Sequence, residues 1–293
     1  MPRLLRAPAR DYVNDTWDSA RWQAFTPRAD DIVVNTPPKS GTTWTQGILA
    51  LLLSGDPGVN ADPSMRSPWI DIAVRPVEDV MARLEAQDHR RHVKSHTPFD
   101  GIPIWEGMRY VAVYRHPLDV HFSYRKHNAN MVFDLPEKRF TPENGEEAFR
   151  LFVDGDHEFA ASLLSIAQHY LSVRALDDDP AVLRLHYADM TRDLPGAMAR
   201  IADHIGVAHP PEVMDRLVEA ATFDSMKANA DRFTPSAGQG FWKEDAGFFD
   251  SATSRKWEGR LSAGQIARYE ARLRELVPDP EARAWLEWGG AAA

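Results

Sequence analysis

Asp31-Ile-Val-Val-Asn-Thr36 runs directly into Pro37-Pro38-Lys39-Ser40-Gly41-Thr42-Thr43-Trp44, and from there into a leucine-rich stretch that ends at Leu53 with Gly55 behind it. The first segment is short and rich in β-branched residues, which suits a buried strand. The last, from Thr42 to Leu53, has the length and composition of a helix closed by glycine, and the two prolines prevent either element from running through the turn. A loop placed between a strand and a helix in this way aims its backbone N–H groups and the positive end of the helix at one spot, which is a site for an anionic, phosphate-like group. Gly41 permits close approach, Lys39 adds a mobile positive charge, and Ser40, Thr42 and Thr43 add hydroxyl donors. The loop that binds nucleoside triphosphates needs two glycines flanking four residues and then Lys followed by Ser or Thr. That spacing is missing, so the turn is expected to take something other than Mg-ATP.

The same order recurs along the chain. Tyr110-Val-Ala-Val-Tyr114 precedes Arg115-His116-Pro117 and a helical stretch, Ala181 to Tyr187 precedes a helix predicted from about Pro195 to Ile205, and His92 to His96 reads as a strand stopped at Thr97-Pro98. Strands alternating with helices predict an α/β fold with a central parallel sheet flanked by helices, whose ligands lie beyond the carboxyl ends of the strands. Helical spacing of apolar residues also marks Asp156 to Leu176, Pro211 to Ala221 and Ser262 to Val277, the last opening with Ser262 and Gln265 at capping-box spacing. Residues 228–260 show no period and are rich in Gly, Ser, Asp and aromatics, a composition expected of a lid or binding loop. With no internal repeat and no break in composition, residues 1–293 are expected to form one P-loop-like domain, with Gly289 to Ala293 as a frayed tail.

The 293 residues carry a formal charge of −9 and 43% hydrophobic residues, as an ordinary globular protein does. A whole-surface nucleic-acid binder is disfavoured, because phosphate backbones are held by basic excess. Cysteine is absent, which excludes disulfides, thiolate catalysis and cysteine metal sites. Prolines interrupt the basic N-terminus and the longest apolar run, Ile48 to Leu53, is far short of a membrane span, so a soluble, cytoplasmic protein is expected.

Within Val93-Lys94-Ser95-His96-Thr97-Pro98 the alternation of a strand turns Lys94 and His96, with His92 one pair earlier, to one face. A base and a cation then converge on one site. His89, His92 and His96 also invite a metal reading, but no acidic ligand accompanies them and no metal is expected.

The turn Pro38-Lys39-Ser40-Gly41-Thr42-Thr43-Trp44 resembles the 5′-phosphosulfate loop of the sulfotransferases that use 3′-phosphoadenosine 5′-phosphosulfate (PAPS), and the likeness runs from about Ala29 to Tyr269. It implies PAPS as donor, 3′-phosphoadenosine 5′-phosphate (PAP) as product, no metal, and a direct sulfuryl transfer to a hydroxyl or amine. By the same resemblance Trp44 lies near the adenine and His96 is the general base, with Lys39 and Lys94 neutralising charge on the bridging oxygen and the transferred group. Tyr110 to Ser123 resembles the 3′-phosphate segment, with Arg115 and Ser123 as its ligands; where His116 stands the family commonly has Asn or Asp. Tyr187 would lie by the adenosine and Phe223 against the adenine, each with a core aromatic role as the alternative. The family closes its site with Arg-Lys-Gly, but here Asp250-Ser251-Ala252 stands in that place, so Arg255 is carried over as the substitute charge, with Lys256 beside it.

Trp69, Phe99, Met131, Phe133, Phe241 and Trp242 are candidates to line an apolar acceptor pocket, which favours a small lipophilic alcohol, phenol or glycolipid. Ser67-Pro-Trp-Ile-Asp71, the helix after Arg75-Pro76, and Arg90-Arg91 look like the bacterial glycolipid-type members. A faint echo of the family's dimer segment spans Glu258 to Tyr269, so a homodimer is an expectation of the resemblance. Two other readings stand beside this one: a phosphotransferase, which would need a Mg-binding acid and the triphosphate spacing, and a non-catalytic binder of 3′-phosphoadenosine nucleotides, against which Lys39, Lys94 and His96 argue.

Overall fold

A computed structural model of the chain describes residues 1–133, 135–249 and 253–290. In chain order the strands are β1 (Leu4–Arg6), β2 (Ile32–Asn35), β3 (His92–Ser95), β4 (Ile104–Trp105), β5 (Arg109–Tyr114) and β6 (Val182–His186). β3, β2, β5 and β6, in that order, make a four-stranded sheet in which every neighbouring pair is parallel, while β1 pairs antiparallel with β4. The register sets Asn35 opposite Ser95, Val34 opposite Val111 and Tyr114 opposite His186. The carboxyl ends therefore share one edge, and the segments that follow them meet there.

Both faces of the sheet are buried, as a parallel sheet requires. Ile32, Val34, Val111 and Val113 face a core completed by Ile48, Leu49, Met198 and Ile201 from the helices Thr42–Ser54 and Leu194–Ile205. Val33, Tyr110, Ala112 and Tyr114 face the other core, with Ile166 and Tyr170 of the helix Leu163–Arg174 and Tyr269 of the helix Ala263–Leu276. At about 1.5–3 kcal/mol for each large apolar side chain, these two layers are what hold the sheet's edge in place.

The helix expected from Pro195 begins one residue earlier, because Asp193 accepts a hydrogen bond from Gly196 N at 2.9 Å and caps it; it closes on Gly206 at φ 69°. Ser262 and Gln265 form the capping box that their spacing predicts. Asp156 to Leu176 is helical only over Leu163–Arg174: Ala160 and Ala161 take positive φ, and Ser162 caps the helix through Ser165 N at 3.0 Å. The helices Gly145–Asp154 and Pro280–Trp288 carry no expectation above. Between residues 228 and 260 the described chain holds the short helix Ala230–Phe233 and a 3-10 turn, Asp245–Phe248, joined by loops. No described helix is long and apolar enough to cross a membrane.

Candidate functional site

The segment after β2 turns sharply, with Lys39 at φ 64° and Gly41 at φ 113°. Both values lie in the left-handed region, which Gly adopts freely and Lys does not. A Cβ on Gly41 would sit 3.2 Å from Tyr187 Cδ2, so glycine serves close packing as well as the turn. Thr36 Oγ1 and Thr42 Oγ1 are 2.5 Å apart across the mouth of the loop, and Thr45 N donates to Gly41 O at 3.0 Å as the helix starts. Ser40 is fully buried, and its Oγ has no hydrogen-bond partner among the described residues.

This turn forms one end of a cavity of about 740 Å³, whose wall includes Lys39, Gly41, Thr42, Thr43 and Trp44. Lys94 and His96 line the same cavity from the end of β3. His92, on the same strand face, does not. It lies two residues, about 6.6 Å, further from the carboxyl edge, and both its ring nitrogens are buried without a partner among the described residues. No described group of three or more His, Asp or Glu side chains is placed to hold a metal ion.

His96 Nδ1 is 2.6 Å from the carbonyl oxygen of Thr36. A carbonyl only accepts, so Nδ1 carries the proton and the neutral ring presents an unprotonated Nε2. Burial, reinforced by the positive charge of Lys94, holds the imidazole well below its usual pKa and keeps it neutral. The edge of Trp69 meets the His96 ring at 5.0 Å and Lys94 Nζ lies 4.0 Å over the Trp69 ring, so one indole positions both groups. Burial brings Lys94 down to about 8, against the opposing pull of Asp71 and Glu137. Asp71 is itself fully buried, accepting from the Trp69 indole, from Ser95 Oγ at 2.5 Å and from Thr97 Oγ1 at 2.6 Å.

Lys39 Nζ stands 3.0 Å from His127 Nδ1 and 4.7 Å over the Phe248 ring. The ammonium can only donate, so Nδ1 of His127 is unprotonated; burial and the charge of Lys39 hold this imidazole well below its usual range. His127 is one helical turn beyond Ser123 on the helix Pro117–Asn130, and that i, i+4 spacing is the sequence signal that points to it.

Arg115 leaves the end of β5 buried, with its guanidinium 4.2 Å over the Tyr187 ring and Nη2 donating to Thr253 O at 2.9 Å. Its Nε is buried with no partner among the described residues. Ser123, Tyr187 and Phe223 line the same cavity. Trp44 meets Tyr187 edge-on at 5.3 Å and donates from its indole to Ala221 O at 2.8 Å. Of the residues expected to hold the donor or to act on it, the structure brings all to this cavity except Ser40, which is buried and does not line it, and Arg255. The guanidinium of Arg255 lies 5.2 Å over Trp288 and pairs with Glu258 at 3.4 Å, on the wall of a neighbouring smaller cavity, while Lys256 reaches the main one. Asp119 dictates this split: it accepts both Arg255 N at 2.9 Å and Lys256 N at 2.7 Å, so consecutive side chains leave in different directions. Asp250, Ser251 and Ala252, the residues in the place of the family's basic pair, lie outside the described residues. His116 Nδ1 accepts from Leu118 N at 3.2 Å and caps the helix that follows, the role an Asn or Asp takes at an N-terminus.

Much of the remaining wall of the cavity is aromatic, with Trp17, Trp69, Phe241 and Trp242, and Met131 among them. Two residues expected there lie elsewhere. Phe99 is fully buried in the core against Tyr110 and His169, because Pro98 starts a 3-10 turn that takes it under the sheet. Phe133 is 52% exposed and packs on Phe241 from outside. Trp17 and Glu137 line the cavity without any local motif that would mark them in the sequence.

A buried guanidinium N–H with no described partner and a turn of backbone N–H groups, brought to one cavity, are donors that an anionic ligand with oxygens at both ends would satisfy. Residues 29–279 match the family model for the sulfotransferase domain. The chain is 32% identical over 301 residues to the glycolipid sulfotransferase of Mycobacterium tuberculosis, with 93% of this chain and 92% of that protein covered. It is 24% identical over 264 residues to sulfotransferase 1A1 of Rattus norvegicus, covering 88% of each. Among solved structures it is similar to retinol dehydratase in a complex with retinol and PAP, at TM-score 0.73 and 21% identity over 90% of this chain and 87% of that one. It is also similar to mouse sulfotransferase SULT7A1 complexed with PAP, at TM-score 0.72 and 19% identity over 93% and 94%. At these identities the two structures speak for the fold.

Proposed function

This chain belongs to the sulfotransferase family, and from that premise we propose that it transfers a sulfuryl group from PAPS to a hydroxyl of a small lipophilic acceptor, with a glycolipid or an alkyl glycoside as the first candidate and an amine or a phenol as further acceptors. The observation that carries the reading is the single cavity that joins the Lys39–Trp44 turn to Lys94 and His96 and is walled by aromatic side chains. The acceptor class is supported by that wall and by the name of the relative at 32% identity.

The residues suit a nucleotide with a phosphosulfate at one end and a 3′-phosphate at the other. The backbone of residues 39–43 and Lys39 would hold the first, Arg115 and Ser123 the second, and Tyr187, Trp44 and Phe223 the adenosine. When bound, PAPS supplies an activated sulfuryl group on a phosphate leaving group. His96 Nε2 takes the proton from the acceptor hydroxyl, a task its Nδ1–H bond to Thr36 O prepares by fixing the tautomer. Lys94 and Lys39 bring positive charge to the side where negative charge develops. The aromatic wall keeps water from competing with the acceptor. Residues 1–293 act in this reading as one sulfotransferase domain, with the segment around Trp242 and Phe248 as the cover over Lys39.

Transfer of radiolabelled sulfate from PAPS to octyl β-D-glucopyranoside and to 4-octylphenol tests the proposal, alongside calorimetry with PAP and ADP. PAP binding together with labelled product on either acceptor is expected. Failure of PAP to bind, or ADP binding as tightly, would end it.

A further inference from the structure

Glu137 stands at the acceptor end of the cavity, on the 3-10 turn Pro136–Phe140, and its carboxylate is not used by the chemistry above. Its Oε2 accepts a hydrogen bond from Thr16 Oγ1, while Oε1 has no hydrogen-bond partner among the described residues. The pair is held from several directions. Thr16 N donates to Asn14 Oδ1 at 2.9 Å, Thr16 O accepts from Ala73 N at 2.7 Å, and Arg139 ties the same turn to Asp15 at 3.1 Å. Both Thr16 and Glu137 line the cavity beside Trp17, and Lys94 lies within electrostatic reach of Glu137 on one side and of His96 on the other. A carboxyl group half-buried in an aromatic pocket is costly unless something donates to it. Burial raises its pKa, which Thr16 and Lys94 only partly offset.

We propose that Glu137, oriented by Thr16, is a specificity residue that accepts a hydrogen bond from a second hydroxyl of the acceptor, so that the enzyme favours polyol head groups, as on a glycoside, over simple alcohols with the same alkyl tail. This rests on the sulfuryl-transfer reading and narrows its acceptor. The reacting hydroxyl belongs at His96 Nε2; a neighbouring hydroxyl belongs at Glu137 Oε1. A site built to pair a hydroxyl discriminates against an analogue that lacks one, because the ligand then covers its acceptor without pairing it.

The test compares kcat/KM for octyl β-D-glucopyranoside and for octan-1-ol, which share a tail and differ in the sugar hydroxyls, in the native enzyme, Glu137→Leu and Glu137→Gln. The glucoside-to-octanol ratio is expected to fall by about 10- to 100-fold in Glu137→Leu, with partial recovery in Glu137→Gln, whose amide oxygen still accepts. If Glu137 served only to balance Lys94, both variants would lose rate on both acceptors and leave the ratio unmoved, and the proposal would be overturned; an unchanged ratio with unchanged rates would overturn it equally. Calorimetry of the glucoside against PAP-loaded protein gives a readout independent of turnover, with weaker glucoside binding expected in Glu137→Leu. Failure of PAP to bind would sink the sulfuryl-transfer reading and this one with it. Equal glucoside binding in native protein and variant would sink this one alone.

Discussion

His96 Nδ1 donates to the carbonyl of Thr36 at 2.6 Å, so the last residue before the Lys39–Trp44 turn also sets the tautomer of the proposed base. One backbone group joins the two halves of the site. His96→Ala removes the proposed base and leaves the turn in place, so kcat is expected to fall by about a hundredfold or more while PAP affinity by calorimetry changes little. Near-native turnover in this variant would remove His96 from its role.

Lys94 sets the expected pH dependence. Burial lowers it to about 8, so its charge is complete below that pH and is lost as pH rises through it. The His96 imidazole, held well below its usual value, is already the free base near neutrality. The profile of kcat/KM is therefore expected to be flat from pH 6.5 to 7.5 and to decline above about 8. Lys94→Arg keeps its charge across this range and is expected to move the decline upward by more than one pH unit. An alkaline limb that stays where it was in the arginine variant would assign it to another group.

Much of this arrangement is legible in the chain because it is local. Val33 and Val34 alternate between the two cores, Pro37-Pro38 stop the strand, and Gly41 opens the helix, all within a dozen residues. Lys94 and His96 follow from strand alternation alone. What stays hidden depends on contacts distant in sequence. Arg255 and Lys256 part because Asp119, on another element, binds both backbone N–H groups. Phe99 leaves the pocket because the turn after Pro98 carries it beneath the sheet, and a helical period over Asp156 to Leu176 cannot reveal that Ala160 and Ala161 adopt positive φ. Glu137 becomes part of the site only through Thr16, which is 121 residues away in the chain.

Arg115 provides a test of which end of the nucleotide is read. Its guanidinium is fixed over Tyr187 and keeps a buried Nε without a described partner. A charge-assisted bond of this kind is worth about 1.5–3 kcal/mol, so Arg115→Ala is expected to weaken adenosine 3′,5′-bisphosphate by roughly 10- to 150-fold and to leave adenosine 5′-phosphate within about twofold. Equal loss for both ligands would show that Arg115 supports the fold and does not read the 3′-phosphate.

The core makes the protein sensitive to acid, and the sign follows from its histidines. His92, His116, His121 and His169 are each brought by burial to about 3. His169 shows why neutrality matters: its Nε2 donates to Asn35 Oδ1 at 3.1 Å while Nδ1 accepts from Tyr114 OH at 2.7 Å, a pairing that a second ring proton would break. In the unfolded chain these rings titrate near the ordinary value of about 6.5. Below that pH the unfolded state gains protons that the folded state refuses, so the stability these groups contribute is complete above about 6.5 and is lost as pH falls toward about 3. One unit below the unfolded value each such ring costs on the order of 1 kcal/mol. The buried carboxyls of Asp71, Glu137 and Glu287, raised by burial, act in the opposite direction and offset part of this. The midpoint of thermal unfolding is expected to drop by roughly 10 °C between pH 7.5 and 5.5. His92→Leu, which removes a ring with no described hydrogen-bond partner, is expected to reduce that drop. A midpoint that does not move over this interval, or a drop undiminished in His92→Leu, would mean that the rings are protonated inside the folded protein, and the neutral tautomer of His96 would then lose its physical basis as well.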